Sequence, residues 1–254
     1  MIITYTFTCP RDAELCLMSV DSQNALHDNR LAQRIVVLEH GVDLATAHMA
    51  RLNLLNCQIM RREKGFERGQ HWWGTLIKRR FLEVLRKQCT FDADHWIVSV
   101  DSDTVFISPA FFDHLIPPHG LVGCFQNPPG RMTSWFGEFR HASGSALANR
   151  SDVQGRILDL NQNEMKQIER ELYHEVGFMN EDVSFSYMAL RCGAMPHNVE
   201  KLWTGDLDIY ARTRLLNGKS VCHLTRDAGV FMDVPITGKW EIPSILRKLD
   251  LYPW

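Results

Sequence analysis

Three observations predict an α/β protein built on a mainly parallel, twisted sheet flanked by helices. Short apolar runs alternate with helical patterns through the first hundred residues, the spacing of strand–helix–strand units. The apolar run at 96–100 is followed at once by two carboxylates, Asp101 and Asp103, a placement typical of the ligand edge of such a sheet. The composition, 254 residues with 45% hydrophobic and 23% charged, is that of a globular chain able to bury a full core without staples.

Charge and cysteine usage narrow the class further. The formal net charge is −2, so the overall balance points to neither a polyanion nor a membrane surface. The seven cysteines are odd in number and include no C-x-x-C pair, which argues against a disulfide framework and a thiolate zinc site. The first residues carry no basic stretch and no small-residue cleavage site, and no run approaches the ~20 apolar residues of a membrane helix. A cytoplasmic protein with no membrane insertion is the expectation.

The elements follow in order. Residues 2–8 form a β-prone run broken by Cys9 and Pro10. Asp12 is an N-cap candidate, with Ala13, Cys16, Leu17 and Val20 on one helical face. Residues 35–38 are a fully apolar strand, a helix occupies 44–55, and a third strand lies at 57–60. Residues 74–88 read as a helix with Ile77, Phe81, Val84 and Leu85 on one side and basic residues on the other, leading into the strand at 96–100. The second half is less regular. It holds a strand at 121–125, a long loop at 127–145 and a helix at 164–175 marked by Met165, Ile168 and Leu172. A further helix capped by Asn180 carries Val183, Tyr187 and Leu190, and a last strand lies at 220–224.

The sharpest motif is Asp101-Ser102-Asp103. Paired carboxylates offer hard oxygen ligands, which suit Mn²⁺ or Mg²⁺ bridging a diphosphate. Asp92/Asp94 and Asp206/Asp208 repeat the spacing, but only the 101–103 copy directly follows a buried-strand pattern. Two aspartates capping a turn would read the same way.

In order and spacing these features resemble the GT-A superfamily of nucleotide-sugar glycosyltransferases, in particular its family-2-like, D-x-D-containing branch. The resemblance implies a single GT-A-like domain over 1–254, with a Rossmann-like nucleotide-sugar half at 1–105 and an acceptor and catalytic half at 106–254. It implies that Asp103 ligates the metal, that Asp101 contacts ribose or a metal-bound water, and that His223 supplies a further ligand. Lys78 stands at the basic position of the family's donor-contacting helix, and Gly144-Ser145-Ala146 resembles the segment lining the donor sugar. Thr8, Pro10, Arg11, Glu39 and Ser102 complete the implied donor contacts. Asn180-Glu181-Asp182 is similar to the family's E-D motif, with Asp182 as the base for an inverting transfer from a nucleotide-diphosphate sugar, UDP-sugar foremost. The family's Arg/Gln-rich motif after that helix is not evident.

Other readings compete. Residues 61–87 hold nine basic and three acidic residues, a local charge of +6 that makes a polyanionic acceptor, such as DNA with hydroxymethylated bases, an expectation to test. A DNA-modifying transferase of the phage type would then act in the host cytoplasm. His197 and Asp227 are lesser site candidates, and Trp72, Trp73, Trp135 and Trp203 could stack on sugar or base or simply pack. A haloacid-dehalogenase-like phosphatase with Asp101 as nucleophile and Asp103 as acid–base also fits the motif locally. A non-catalytic nucleotide-sugar-binding domain is the third reading.

Overall fold

The computed structural model describes residues 1–38, 44–61, 73–88, 94–126, 141–143, 145–176, 181–204, 219–224, 230–231, 234–235 and 241–244. In chain order the first half runs β1 (Ile2–Thr8), α1 (Ala13–Ala25), β2 (Leu31–Leu38), α2 (Thr46–Leu54), β3 (Gln58–Arg61), α3 (Trp73–Gln88) and β4 (Trp96–Val100). The second begins with β5 (Thr104–Phe106), α4 (Ala110–Asp113), β6 (Leu121–Gly123), β7 (Phe125–Gln126), β8 (His141–Ala142) and β9 (Ala146–Arg150). It continues through α5 (Ser151–Asp159), α6 (Gln162–Val176), α7 (Glu181–Arg191), β10 (Pro196–Asn198), β11 (Trp203–Thr204), β12 (Val221–His223), β13 (Val230–Phe231) and β14 (Val234–Pro235).

Seven of these strands make the main sheet, in the order β10-β6-β9-β4-β1-β2-β3. β1 lies near its middle, pairing parallel with β2 on one edge and with β4 on the other. β3 extends the parallel run beyond β2. β9 runs antiparallel to both β4 and β6, the exception in an otherwise parallel sheet. The predicted fold class therefore holds, while β9 and α5 were not foreseen. Ala146–Arg150 holds a single large apolar residue, Leu147, between two alanines and ends in Asn149 and Arg150, so no strand pattern marks it out.

Alternate residues of the central strands feed opposite cores, as the pleat requires. Ile3, Tyr5, Ile97 and Leu147 pack with Phe81, Leu82 and Leu85 of α3 and with Val183 and Phe185 of α7. Val98, Val100, Ala146 and Ala148 face the other way, against Phe106, Phe111, Phe112 and Val221. Behind β2, α1 and α2 close a third cluster around Val36 and Leu38.

Two registers place the site. Tyr5 of β1 lies opposite Ser99 of β4, and Val100 at the end of β4 lies opposite Ala146 at the start of β9. The end of β4 and the beginning of β9 thus share one sheet edge. A small second sheet, β11-β12-β5, stands beside it, with β5 following directly on the Asp101–Asp103 turn.

Candidate functional site

The D-x-D turn is built by its neighbours. Thr104 N–H donates to the Asp101 carbonyl at 3.0 Å, closing the turn between β4 and β5. β12 pairs antiparallel with β5 so that His223 lies opposite Thr104. The Leu224 N–H then donates to the Asp103 carbonyl at 2.8 Å, locking the two segments together. The His223 Nε2 consequently stands 3.2 Å from Asp103 Oδ1 and 3.9 Å from Asp101 Oδ2. One ligand atom from each of Asp101, Asp103 and His223 lies within 4.8 Å of the others.

Burial divides the two carboxylates. Asp103 is buried, while the Asp101 side chain remains 44% exposed. Desolvation and then the charges of Asp182 and Asp103 raise the Asp101 carboxyl above the ordinary carboxylate range, against the pull of His223 and Lys78. Two carboxylates and an imidazole form a donor set suited to a divalent cation such as Mn²⁺ or Mg²⁺. A bound cation would reverse the repulsion that raises Asp101.

Behind the turn sits Lys78, on α3 and only 4% exposed. Its Nζ is 3.7 Å from Asp182 Oδ1, 5.1 Å from the centre of the Phe185 ring and 5.9 Å from that of Tyr5. Desolvation opposes its charge, but its surroundings outweigh that and raise its pKa. Tyr5 is itself held protonated by burial, so at neutral pH the compensating charge comes from Asp182, Glu181 and Asp101. Glu181 and Asp182 open α7, where the helix dipole favours acidic side chains. The approach of α7 to α3 is close enough that a Cβ on Gly74 would lie 2.8 Å from Glu181 Oε2.

Other residues singled out from the sequence fall on the same edge. Thr8 is buried at the end of β1, with Pro10 and Arg11 exposed in the single 3-10 turn beyond it. Ser102 is buried within the D-x-D turn. Ser145 is buried just before β9, its Oγ bonded to Ser143 Oγ at 3.2 Å and accepting from Trp203 Nε1 at 3.1 Å. Trp203 is half-buried, its ring centre 6.4 Å from that of His223. Tyr5, whose ring lies 5.9 Å from Lys78 Nζ, and Ser99 opposite it were not foreseen near the site. Their signal was a polar residue inside each of two buried strands, which becomes informative only once the register is known.

Some expectations fall elsewhere. His197 is on β10, the edge strand, where its Nε2 lies 2.9 Å from His114 Nδ1 and its ring stacks on His119 at 4.1 Å. Glu39, Gly144, Asp227, Trp72 and Trp135 lie outside the described residues, as do Arg62, Lys64 and Arg68. The basic stretch is in part engaged internally. Arg79 donates through Nη2 to the carbonyls of Leu158 and Leu160, each at 2.7 Å, and Arg86 reaches Asp159 at 2.7 Å. These contacts tie α3 to the end of α5, and Asp159 offsets one of the six surplus charges of the stretch. Among the described residues, no helix is long and apolar enough to cross a membrane.

Strand order, the D-x-D turn at the end of β4 and the helices on both faces define a GT-A-like α/β fold. Among solved structures the chain is similar to the galactosyltransferase LgtC in complex with donor and acceptor sugar analogues. The identity is 12% and the TM-score 0.59, over 98% of this chain and 96% of that one. An active-site mutant of LgtC matches at 13% identity with the same TM-score and coverage. Mouse xyloside xylosyltransferase 1 in its apo form matches at 12% identity and a TM-score of 0.53, over 87% of this chain and 96% of that one. At such identities the likeness is one of fold. No protein-family model matches the chain, and no curated protein matches it.

Proposed function

We propose that this protein is a glycosyltransferase that moves a sugar from a nucleotide-diphosphate donor, with UDP-sugar the first candidate, to an acceptor hydroxyl. The observation that carries the reading is the Asp101, Asp103 and His223 cluster at the end of β4, in a fold shared with sugar transferases. LgtC was solved with donor and acceptor sugar analogues, which supports a sugar-nucleotide site at the corresponding edge here. Mn²⁺ or Mg²⁺ held by these three residues would offset the charge of the departing nucleotide diphosphate.

The chain's own groups supply the rest. Residues 1–105 would form the nucleotide-sugar half, with Thr8, Pro10, Arg11 and Ser102 at the donor edge, Lys78 beneath it and Ser145 opposite. Residues 106–254 would form the acceptor half. Asp182, across from Asp101, would take the proton of the acceptor hydroxyl as the new C–O bond forms, which makes the displacement inverting. Lys78, 3.7 Å away, places a positive charge beside that carboxylate. The described cysteines are free thiols, which supports a cytoplasmic location.

The test is donor consumption. Nucleotide-diphosphate sugars are screened for stabilisation with and without Mn²⁺, and the selected donor is assayed for hydrolysis or transfer. Asp103→Asn should abolish metal-dependent turnover while retaining the wild-type fold by circular dichroism, and NMR should show a product of inverted anomeric configuration. Unchanged turnover in Asp103→Asn would remove the metal site from the reading, and a retained configuration would remove Asp182 as the base.

A further inference from the structure

We propose that His114 and His197 form a second cation site, a two-imidazole pincer for a borderline transition metal of the Ni²⁺, Cu²⁺ and Zn²⁺ group. The site lies away from the D-x-D turn and does not depend on the glycosyltransferase reading. His197 is the middle residue of β10, the terminal strand of the main sheet, and lies opposite Val122 of β6. His114 directly follows α4, whose Phe111 and Phe112 are buried in the core behind the sheet. Although 83 residues separate them in the chain, His114 Nδ1 and His197 Nε2 stand 2.9 Å apart, with the ring planes inclined at 29°. Both rings are half-buried, so solvent can deliver a cation and complete its coordination. His119 lies face to face with His197, ring centres 4.1 Å apart and planes at 14°, and so steadies that ring rather than joining the pincer. Its Nδ1 is buried and has no hydrogen-bond partner among the described residues, an atom that a cation-bound water would satisfy.

The chemistry of the pair selects the metal. Neutral imidazole binds a cation through the lone pair of one ring nitrogen. Two nitrogens at about 2.0–2.1 Å from one cation and about 90° apart are separated by about 2.9 Å, whereas a tetrahedral pair stands about 3.4 Å apart. The observed spacing therefore fits tetragonal Cu²⁺ or Ni²⁺ as it stands, and Zn²⁺ after a small opening. Without a cation, one of the two facing nitrogens donates its N–H to the other. On binding, that proton moves to the outer nitrogen of its own ring, which frees both inner lone pairs and leaves the charge of the pair unchanged. Imidazole nitrogens select against the hard cations that the Asp101 and Asp103 carboxylates favour, so the two sites differ in the metals they take. A cation here pins the terminal strand of the sheet to the end of α4.

Cu²⁺ is the first probe, because its electron paramagnetic resonance spectrum resolves the number of bound imidazole nitrogens. In His223→Ala the D-x-D cluster keeps only oxygen ligands, yet one equivalent of Cu²⁺ should still give a two-nitrogen pattern. His114→Gln and His197→Gln in that background should each lose the pattern and weaken Cu²⁺ binding at least tenfold, the loss that follows removal even of a group behind a metal ligand. A second measurement uses the unaltered protein and so does not depend on the variants folding. Ni²⁺ should slow the modification of His114 and His197 together by diethyl pyrocarbonate, read by peptide mass, with His223 reporting the D-x-D site in the same digest. A two-nitrogen pattern missing from His223→Ala, or surviving in both glutamine variants, would overturn the proposal. So would Ni²⁺ that leaves both rings as reactive as before. Protection of His114 and His197 with none at His223 would sustain the second site while removing the first.

Discussion

Replacing His223 by alanine tests the site through stability, without any knowledge of the substrate. The imidazole stands 3.2 Å from Asp103 and 3.9 Å from Asp101, so its removal takes away one of three protein donors and leaves two carboxylates. A ligand at a hundred times its dissociation constant stabilises the native state by about 2.7 kcal/mol. For a domain of this size that corresponds to a rise in melting temperature of roughly 5–11 °C. Loss even of a group behind a metal ligand weakens affinity about 10–100-fold, so loss of the ligand itself should cost at least ~100-fold. At the same Mn²⁺ concentration the variant would sit near its dissociation constant and gain only about 0.4 kcal/mol, or roughly 1–2 °C. The assay is a set of melting curves across a Mn²⁺ titration, with Mg²⁺ and Ca²⁺ in parallel. Equal shifts in wild type and variant would refute a role for His223, and a wild type indifferent to millimolar Mn²⁺ and Mg²⁺ would refute the cation site.

Further outcomes are expected away from the proposed cation site. Arg79→Ala should lower stability by about 2–3 kcal/mol, because two charge-assisted bonds to the end of α5 are lost; a change within about 0.5 kcal/mol would mark it as an ordinary surface cation. The His197 pKa is lowered by burial and then by the neighbouring His119 and His114. Its contribution to stability is therefore complete above the unfolded value near 6.5 and is lost as the pH falls through that value toward the lower folded one. Melting temperatures between pH 7 and pH 5 should fall more steeply in wild type than in His197→Gln, and parallel slopes would remove His197 as the source.

How far the sequence could be read depended on whether an element's partners were local. β1, β2 and β4 carry apolar runs because helices cover the sheet on both faces, and α3 shows its buried side in Ile77, Phe81 and Leu85. β9 lacked such a pattern because its Ala146 and Ala148 are small enough to fit against Phe106 and Phe111 without leaving an apolar signature. Asp101 and Asp103 were legible because the two carboxylates and their strand are contiguous. His223 stood out only as the end of a short apolar run; what places it is the antiparallel register with β5, which joins segments far apart in the chain. The basic stretch was only partly legible for a related reason. Counting charge along the chain cannot tell a cation facing solvent from Arg79, which reaches the carbonyls of a helix some eighty residues later.

The route by which His223 arrives has a consequence for how the protein is made. The main sheet is complete in chain order at Asn198 with β10, before β12 begins at Val221. During synthesis the two aspartates and every strand of that sheet emerge ahead of the imidazole, so the scaffold can assemble before the cation site exists. A cation bridging Asp103 and His223 would then close a loop of about 120 residues, and the entropic gain from such a closure grows with loop length. The ion would act as a clasp on the β12 segment as well as a chemical aid, and metal depletion should loosen that segment first, before the parallel strands behind it.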